Sequence, residues 1–220
     1  ALVEISAVRS LAETAEFFEV TDQGPGRWLL SGGGGNILLL TSKGQNVVID
    51  AGVSRAAEEL LDKVITLVGA KNCTLINTHH HGDHTGGNLV IRRGFETEVP
   101  VIAQRNLTAR VEADQAPSIT FGDDHKVTIG ESEIRLHHYG PGHTDNDAVV
   151  YFPRENILHM GDLVFHELHP YVIAEHGADV AGWQKSLSLA FKLCDENTVV
   201  IPGHGAVNDR TAIMKMDEYF

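Results

Sequence analysis

The segment Thr78-His79-His80-His81-Gly82-Asp83-His84 gathers four histidines and a carboxylate directly after the apolar run Cys73–Asn77. Imidazole and carboxylate are ligands for zinc and other borderline cations. In extended chain alternate side chains share a face, so His79, His81 and Asp83 are expected on one side and His80 on the other. Gly82 then lets the chain turn, and Asp83 and His84 can face a neighbouring point. One cluster thereby offers ligands to two adjacent metals. Two other readings compete. A helical zinc protease needs Glu directly after the first histidine of an i, i+4 pair. His80 and His84 have that spacing, but His81 stands where Glu is needed and Gly82 weakens a helix. A metal-free polar loop or an expression tag is the other reading, yet tags sit at termini and this cluster is internal with an aspartate woven in.

Three later places complete a coordination set. Gly140-Pro141-Gly142-His143-Thr144-Asp145 puts a histidine between two strands, Gly161-Asp162 follows the apolar run Asn156–Met160, and Pro202-Gly203-His204-Gly205 puts a histidine just past a strand. A glycine-flanked His or Asp is by itself more often a turn residue. Together, at strand ends and in this order, the three are specific. His166, His169 and Tyr171 follow Asp162 closely and are candidates for lining a substrate cleft, with an ordinary polar loop as the competing reading. His125, His137, His138, His159 and His176 match no ligand position and are read as surface or core residues. Gly32-Gly33-Gly34-Gly35 lacks the Lys-Ser/Thr of a phosphate loop and is read as a flexible hairpin over the site.

The elements that must position these residues alternate between short β-rich runs and helical patterns, the signature of a layered α/β fold. Asn36–Thr41 and Asn46–Asp50 flank the turn Ser42-Lys43-Gly44-Gln45 as a hairpin. Ser54 is expected to cap a helix to about Val68, striped by Leu60, Leu61, Val64, Ile65 and Val68 and ended by Gly69. Val99–Ala103 reads as a strand followed by a helix through Arg110. Lys126–Ile129, Glu133–His137, Ala148–Phe152, Asn156–Met160 and Thr198–Ile201 read as further strands. A helix is expected from Asp179 to about Cys194 and another from near Asp209.

The 220 residues, 42% hydrophobic and 21% charged, suit a soluble globular protein with a sizeable core. The net charge of −13, without basic clusters, disfavours a nucleic-acid surface. Cys73 and Cys194 make no metal-ligand spacing and are read as two buried thiols, a single bridge being the alternative. Runs such as Ile37-Leu38-Leu39-Leu40 are too short to span a bilayer. The chain opens on Ala1, compatible with removal of an export signal or a tag, which leaves a periplasmic, secreted or cytoplasmic setting open.

The motif pattern resembles that of the metallo-β-lactamase superfamily, His-x-His-x-Asp-His followed by a distal His, Asp and His. The resemblance runs from Val48-Ile49-Asp50-Ala51-Gly52 to His204. It implies that His79, His81 and His143 bind a first metal, that Asp83, His84 and His204 bind a second, and that Asp162 bridges the two. Asp50 resembles the buried aspartate that braces the histidine loop. The implied fold is an αββα sandwich, two mixed sheets face to face with helices outside, with residues 1–220 as one hydrolase domain and the site at an edge between the sheets. Two zinc ions per chain are the implied cofactors, and an all-nitrogen-and-oxygen donor set also admits iron or manganese.

The implied chemistry is hydrolysis. Two close cations acidify a bridging water, and the resulting hydroxide attacks a carbonyl or phosphorus centre. Asp83 is the expected catalytic residue, orienting the hydroxide and passing its proton to the leaving group. Thr144 and Asp147 are candidates for supporting the ligand histidines, with turn or capping roles competing. The lactamase subclass most often met clinically has a cysteine ligand where Asp162 stands here. The expected substrate is a small cyclic amide or ester, β-lactam-like or lactone-like. Thioester, organophosphate or phosphodiester hydrolysis on the same fold, or a non-catalytic metal-binding role, are the alternatives. A small-molecule substrate is expected, with no nucleic-acid or membrane partner.

Overall fold

A computed structural model describes residues 16–220; the chain start at Ala1 lies outside the described residues. Seven strands follow one another across the first sheet in chain order: β1 (Glu19–Asp22), β2 (Arg27–Ser31), β3 (Ile37–Ser42), β4 (Gln45–Ile49), β5 (Thr74–Ile76), β6 (Val101–Gln104) and β7 (Ile119–Phe121). Gly122 and Asp123 alone lead into the second sheet. It contains β8 (Asp124–Ile129), β9 (Ser132–His137), β10 (Val149–Phe152), β11 (Ile157–Phe165) and β12 (Val199–His204), in the order β12-β11-β10-β9-β8. Both sheets are mixed. The run β4-β5-β6-β7 and the pair β11–β12 are parallel, and the remaining neighbours are antiparallel.

Side-chain alternation explains how the sheets stack. Leu38, Leu40, Val47, Ile49 and Ile76 of the first sheet meet Ile134, Leu136, Val150, Phe152 and Ile201 of the second in one buried core. Their neighbours Ile37, Leu39, Val48 and Leu75 point the other way, onto Leu60 and Val64 of helix α1 (Ala57–Val68) and Ile91 of α3 (Asn88–Arg93). On the far side Val149, Leu158, Met160 and Val200 pack on Trp183, Leu187 and Ala190 of α4 (Val180–Phe191) and on Ile213 and Met216 of α5 (Thr211–Tyr219). The result is helix, sheet, sheet, helix, as the sequence led us to expect. The central strands are apolar on both faces because both faces are covered.

Several local expectations differ in detail. Ser54 does not cap α1; it opens a 3₁₀ turn, Ser54–Ala56, and makes no capping hydrogen bond, while Gly69 ends the helix as expected. Asp179 does cap α4, its side chain accepting from Gly182 N. The helix expected through Arg110 is a 3₁₀ turn, Arg105–Ala109. Strand β11 runs on to Phe165, so Asp162 lies inside a strand rather than after one. Its pairing with β12 slips on both sides of Gly161, and Gly161 has φ +50. That irregularity, which a side chain would resist, rotates Asp162 out of the ladder. Cys73 and Cys194 are both free thiols, the first buried and the second half-buried. No helix among the described residues is long and apolar enough to cross a membrane.

Candidate metal centre

The seven expected ligand residues converge where the carboxyl ends of β5, β11 and β12 meet the loop after β9. His79, His81, His143 and Asp162 each place one donor atom within 4.8 Å of the others, and Asp83, His84 and His204 form a second such group. Asp162 faces both. Its Oδ2 lies 3.3 Å from His143 Nε2 and 3.7 Å from His79 Nε2, while its Oδ1 lies 3.0 Å from His84 Nε2 and 3.5 Å from His204 Nε2. His81 joins the first group through Nδ1, 2.9 Å from His143 Nε2. Asp83 joins the second through Oδ2, 3.1 Å from His204 Nε2. The strict alternation expected through Asp83 stops at His81. Gly82–Thr85 forms a single helical turn, α2, and this turn brings Asp83 and His84 round to the second group.

Asp50 explains why the histidine loop holds its shape. It is fully buried at the end of β4 with φ +66, an uncommon conformation for a residue with a side chain. Its Oδ1 accepts from Thr78 N at 2.8 Å, and its Oδ2 accepts from Thr78 Oγ1 at 2.7 Å and from His84 Nδ1 at 2.8 Å. Because the Thr78 hydroxyl proton is committed to Asp50, His79 Nδ1 donates to Thr78 Oγ1 at 3.1 Å. His79 Nε2 is left as a bare lone pair, buried and without a hydrogen-bond partner. One carboxylate thus orients two ligand rings, directly and through a hydroxyl.

Charge in the centre is arranged for a cation. Burial holds the imidazoles of His79, His81 and His143 below their ordinary range, the last two down to about 4, so all three are neutral donors at neutral pH. Burial opposes charge on His84 too, but Asp162 and Asp50 outweigh it and raise this imidazole well above its usual range. His204, likewise opposed by burial, is pushed up to about 9 by its bonds to Asp162 and Asp83. Burial would raise Asp162, yet His84 and His79 hold its carboxyl well below the ordinary value. The carboxylates therefore draw positive charge to the atoms where a divalent ion would sit. Neutral imidazoles, bare nitrogen lone pairs and a two-faced carboxylate fit such an ion.

Thr144 and Asp147 act on the loop backbone. Thr144 N and Oγ1 donate to Asp147 at 2.9 and 2.6 Å, pinning the turn that carries His143. The four glycines are not a loose flap. Gly35 N donates to Asp83 O at 3.0 Å, and a Cβ at Gly35 would overlap the His84 ring. A Cβ at Gly34 would likewise press on Asp83, while Gly32 and Gly33 lie against Phe17 and Phe18, so each glycine of the run is a close backbone approach.

A cleft of about 540 Å³ opens over the centre, lined on its floor by His81, Asp83, Asp162 and His204. Its wall is Phe165, Leu168, His169, Tyr171, Ile173 and His176. His169 and Tyr171, read from sequence as candidates for a substrate cleft, line this one. His166 does not: it turns away from the cleft and is buried, with Nδ1 2.8 Å from Ala206 O and Nε2 2.8 Å from Asn208 Nδ2. Being the first residue past β11, it falls on the opposite face from Phe165. His176, read from sequence as an ordinary surface or core residue, lines the cleft with Nδ1 2.7 Å from His81 Nε2. Phe165, Leu168 and Ile173 also escaped the sequence reading.

Comparison with known proteins agrees with this geometry. The sequence model of the metallo-beta-lactamase superfamily matches residues 30–204. A metallo-beta-lactamase type 2 of Bacillus cereus is 28% identical over 81% of this chain and 69% of its own length. A probable metallo-hydrolase of Methanocaldococcus jannaschii is also 28% identical, over 80% of this chain and 90% of its own. The solved metallo-beta-lactamase from Pontibacter korlensis superposes with a TM-score of 0.77 at 27% identity, covering 92% of this chain and all of that one. With the fold, the donor groups and the family model in agreement, this chain belongs to the metallo-β-lactamase superfamily and is a metal-dependent hydrolase.

Proposed function

We propose that the chain, read as one domain over residues 1–220, is a dinuclear zinc hydrolase of small cyclic amides or esters. The observation that carries this reading is the placement of Asp162, whose two oxygens face two separate donor groups on the floor of one cleft. In the proposal His79, His81 and His143 would hold one ion, Asp83, His84 and His204 would hold the other, and Asp162 would serve both groups. When bound, divalent zinc supplies Lewis acidity, making water acidic near neutral pH and drawing electron density from a carbonyl.

The chain's own residues do the rest. Asp83, partly exposed on the cleft floor, orients the attacking water and carries its proton to the leaving group. Asp162 keeps the two donor groups in register. Phe165, Leu168, Tyr171 and Ile173 receive the apolar part of the substrate and shield the reacting carbonyl from bulk water. Tyr171 and Leu168, 69% and 53% exposed, stand ready to be covered by it. The deciding experiment couples elemental analysis to turnover of nitrocefin, a lactone, a thioester and a phosphodiester. Two zinc per chain with turnover of nitrocefin or the lactone is the expected result. One zinc at saturation, or turnover confined to the thioester or phosphodiester, would refute it.

A further inference from the structure

His81 has a ring nitrogen on each of two sides of the centre. Nδ1 faces His143 within the first donor group, and Nε2 lies 2.7 Å from Nδ1 of His176, a residue 95 positions along the chain. His176 is held there by a dedicated set of bonds. It ends the 3₁₀ turn Ala174–His176, whose Glu175 carbonyl accepts from Arg110 Nη1 at 3.0 Å. The His176 carbonyl accepts from Asp145 N at 3.1 Å, and Arg110 is paired with the Asp145 carboxylate. Asn106 Nδ2 closes the set by donating to Asp145 O at 2.9 Å.

A third histidine, His80, lies close enough to His81 and His176 for the three to resemble a further metal site. Hydrogen bonding argues against that. Asn146 Nδ2 donates to Asp145 Oδ1 at 2.7 Å, which fixes the amide's orientation, and to His80 Nδ1 at 2.8 Å. His80 therefore carries its proton on Nε2. To ligate there it would have to become an imidazolate, and His81, using both nitrogens, would have to become a second one. Two imidazolates in one half-exposed cluster are far more costly than a hydrogen bond.

We propose that His176 is the positioning residue of His81: it accepts the Nε2 proton and thereby holds the Nδ1 lone pair aimed into the first donor group. It takes the place that a carboxylate or carbonyl oxygen usually has behind a metal-bound histidine. The proposal rests on the reading of His81 as a metal ligand. Arg110, Asp145 and Asn106 act one layer further out, fixing the turn that carries His176.

The test uses full-length zinc-loaded protein and two readouts. Zinc affinity is measured by chelator competition for wild type, His176→Ala and His176→Gln. Nitrogen-15 NMR looks for coupling between His81 Nε2 and His176 Nδ1 through the shared proton. We expect the coupling in wild type, an affinity about 10–100-fold weaker in His176→Ala, and recovery to within a few-fold in His176→Gln, whose amide oxygen can accept. Unchanged affinity in His176→Ala, or absence of the coupling, overturns the proposal. So does a third equivalent of zinc in wild type that is lost in His80→Ala. His143→Ala separates the two levels of the argument: if it binds zinc as wild type does, the ligand reading itself has failed, whatever His176 shows.

Discussion

At the scale of single residues, Asp162 and Asp147 show how burial can serve opposite ends. Asp162 is buried among imidazoles and stays ionised, because His84 and His79 outweigh the desolvation that opposes its charge. Asp162→Ala removes the carboxylate whose two oxygens face both donor sets, and in the proposed dinuclear centre that would leave two dications unshielded from each other. We expect turnover to fall more than about a hundredfold, beyond the usual effect of losing a group one layer behind the ligands, with fewer than two zinc retained. Wild-type turnover with two zinc would contradict the bridging role. Asp147 is buried and makes no ion pair among the described residues, and desolvation pushes its carboxyl up to about 7 despite the bonds from Thr144. Its folded pKa lies above its unfolded one, so its contribution to stability is full below about pH 4 and is lost as pH rises through about 7. In metal-free protein, Asp147→Asn leaves an amide oxygen to accept from Thr144 but carries no charge. The melting temperature of wild type relative to this variant should therefore drop by about 5–10 °C between pH 4 and pH 8. A difference independent of pH would count against the assignment.

At the scale of elements, what could be read from sequence followed the strength of local patterns. The β3–β4 hairpin was legible because Lys43 and Gly44 make the two-residue turn with positive φ, 50° and 73°, between apolar runs. The seven candidate donors that the structure brings together were legible because each stands beside a glycine or within the histidine run near a strand end. Strand β1 was missed because all four of its residues are exposed, and β7 because it is three residues long with two of them exposed. Helix α2, a single turn opening on glycine, offers no periodicity. His176 could not be linked to His81, since it lies in a loop without periodicity and its partner is 95 residues away. The slip in β11 tests whether an element's distortion serves the site. A Cβ at Gly161 would press on the Thr78 side chain and, at φ +50, cost about 1–2 kcal/mol in backbone strain alone. Gly161→Ala should weaken zinc binding through both Thr78 and Asp162. Trp183→Ala, in the outer core on the buried face of α4, should cost about 3–5 kcal/mol of stability, and it should do so through lost packing. If Gly161→Ala binds zinc as wild type does, the slip is only a packing accommodation.

At the scale of the whole molecule, the candidate centre sits where two separately wound sheets meet, and its candidate ligands come from both. Metal bound only by the folded chain adds to stability by mass action, about 2.7 kcal/mol per ion at a hundred times its dissociation constant. Chelation should therefore lower the melting temperature by at least about 5–10 °C, and zinc should restore it; an unchanged melting temperature would mean that the ions do not tie the halves together. The division of ligands also sets an order in time. His79, His81, Asp83 and His84 precede the two-residue passage at Gly122 and Asp123, whereas His143, Asp162 and His204 follow it. His84 and His204 are 120 positions apart. On a ribosome adding about 5–20 residues each second, the last ligand is made roughly 6–24 s after the fourth. For that interval the nascent chain displays an open His/Asp cluster that lacks His204, and for the first 78 of those residues Asp162 as well, and the ion it first meets need not be the one it keeps.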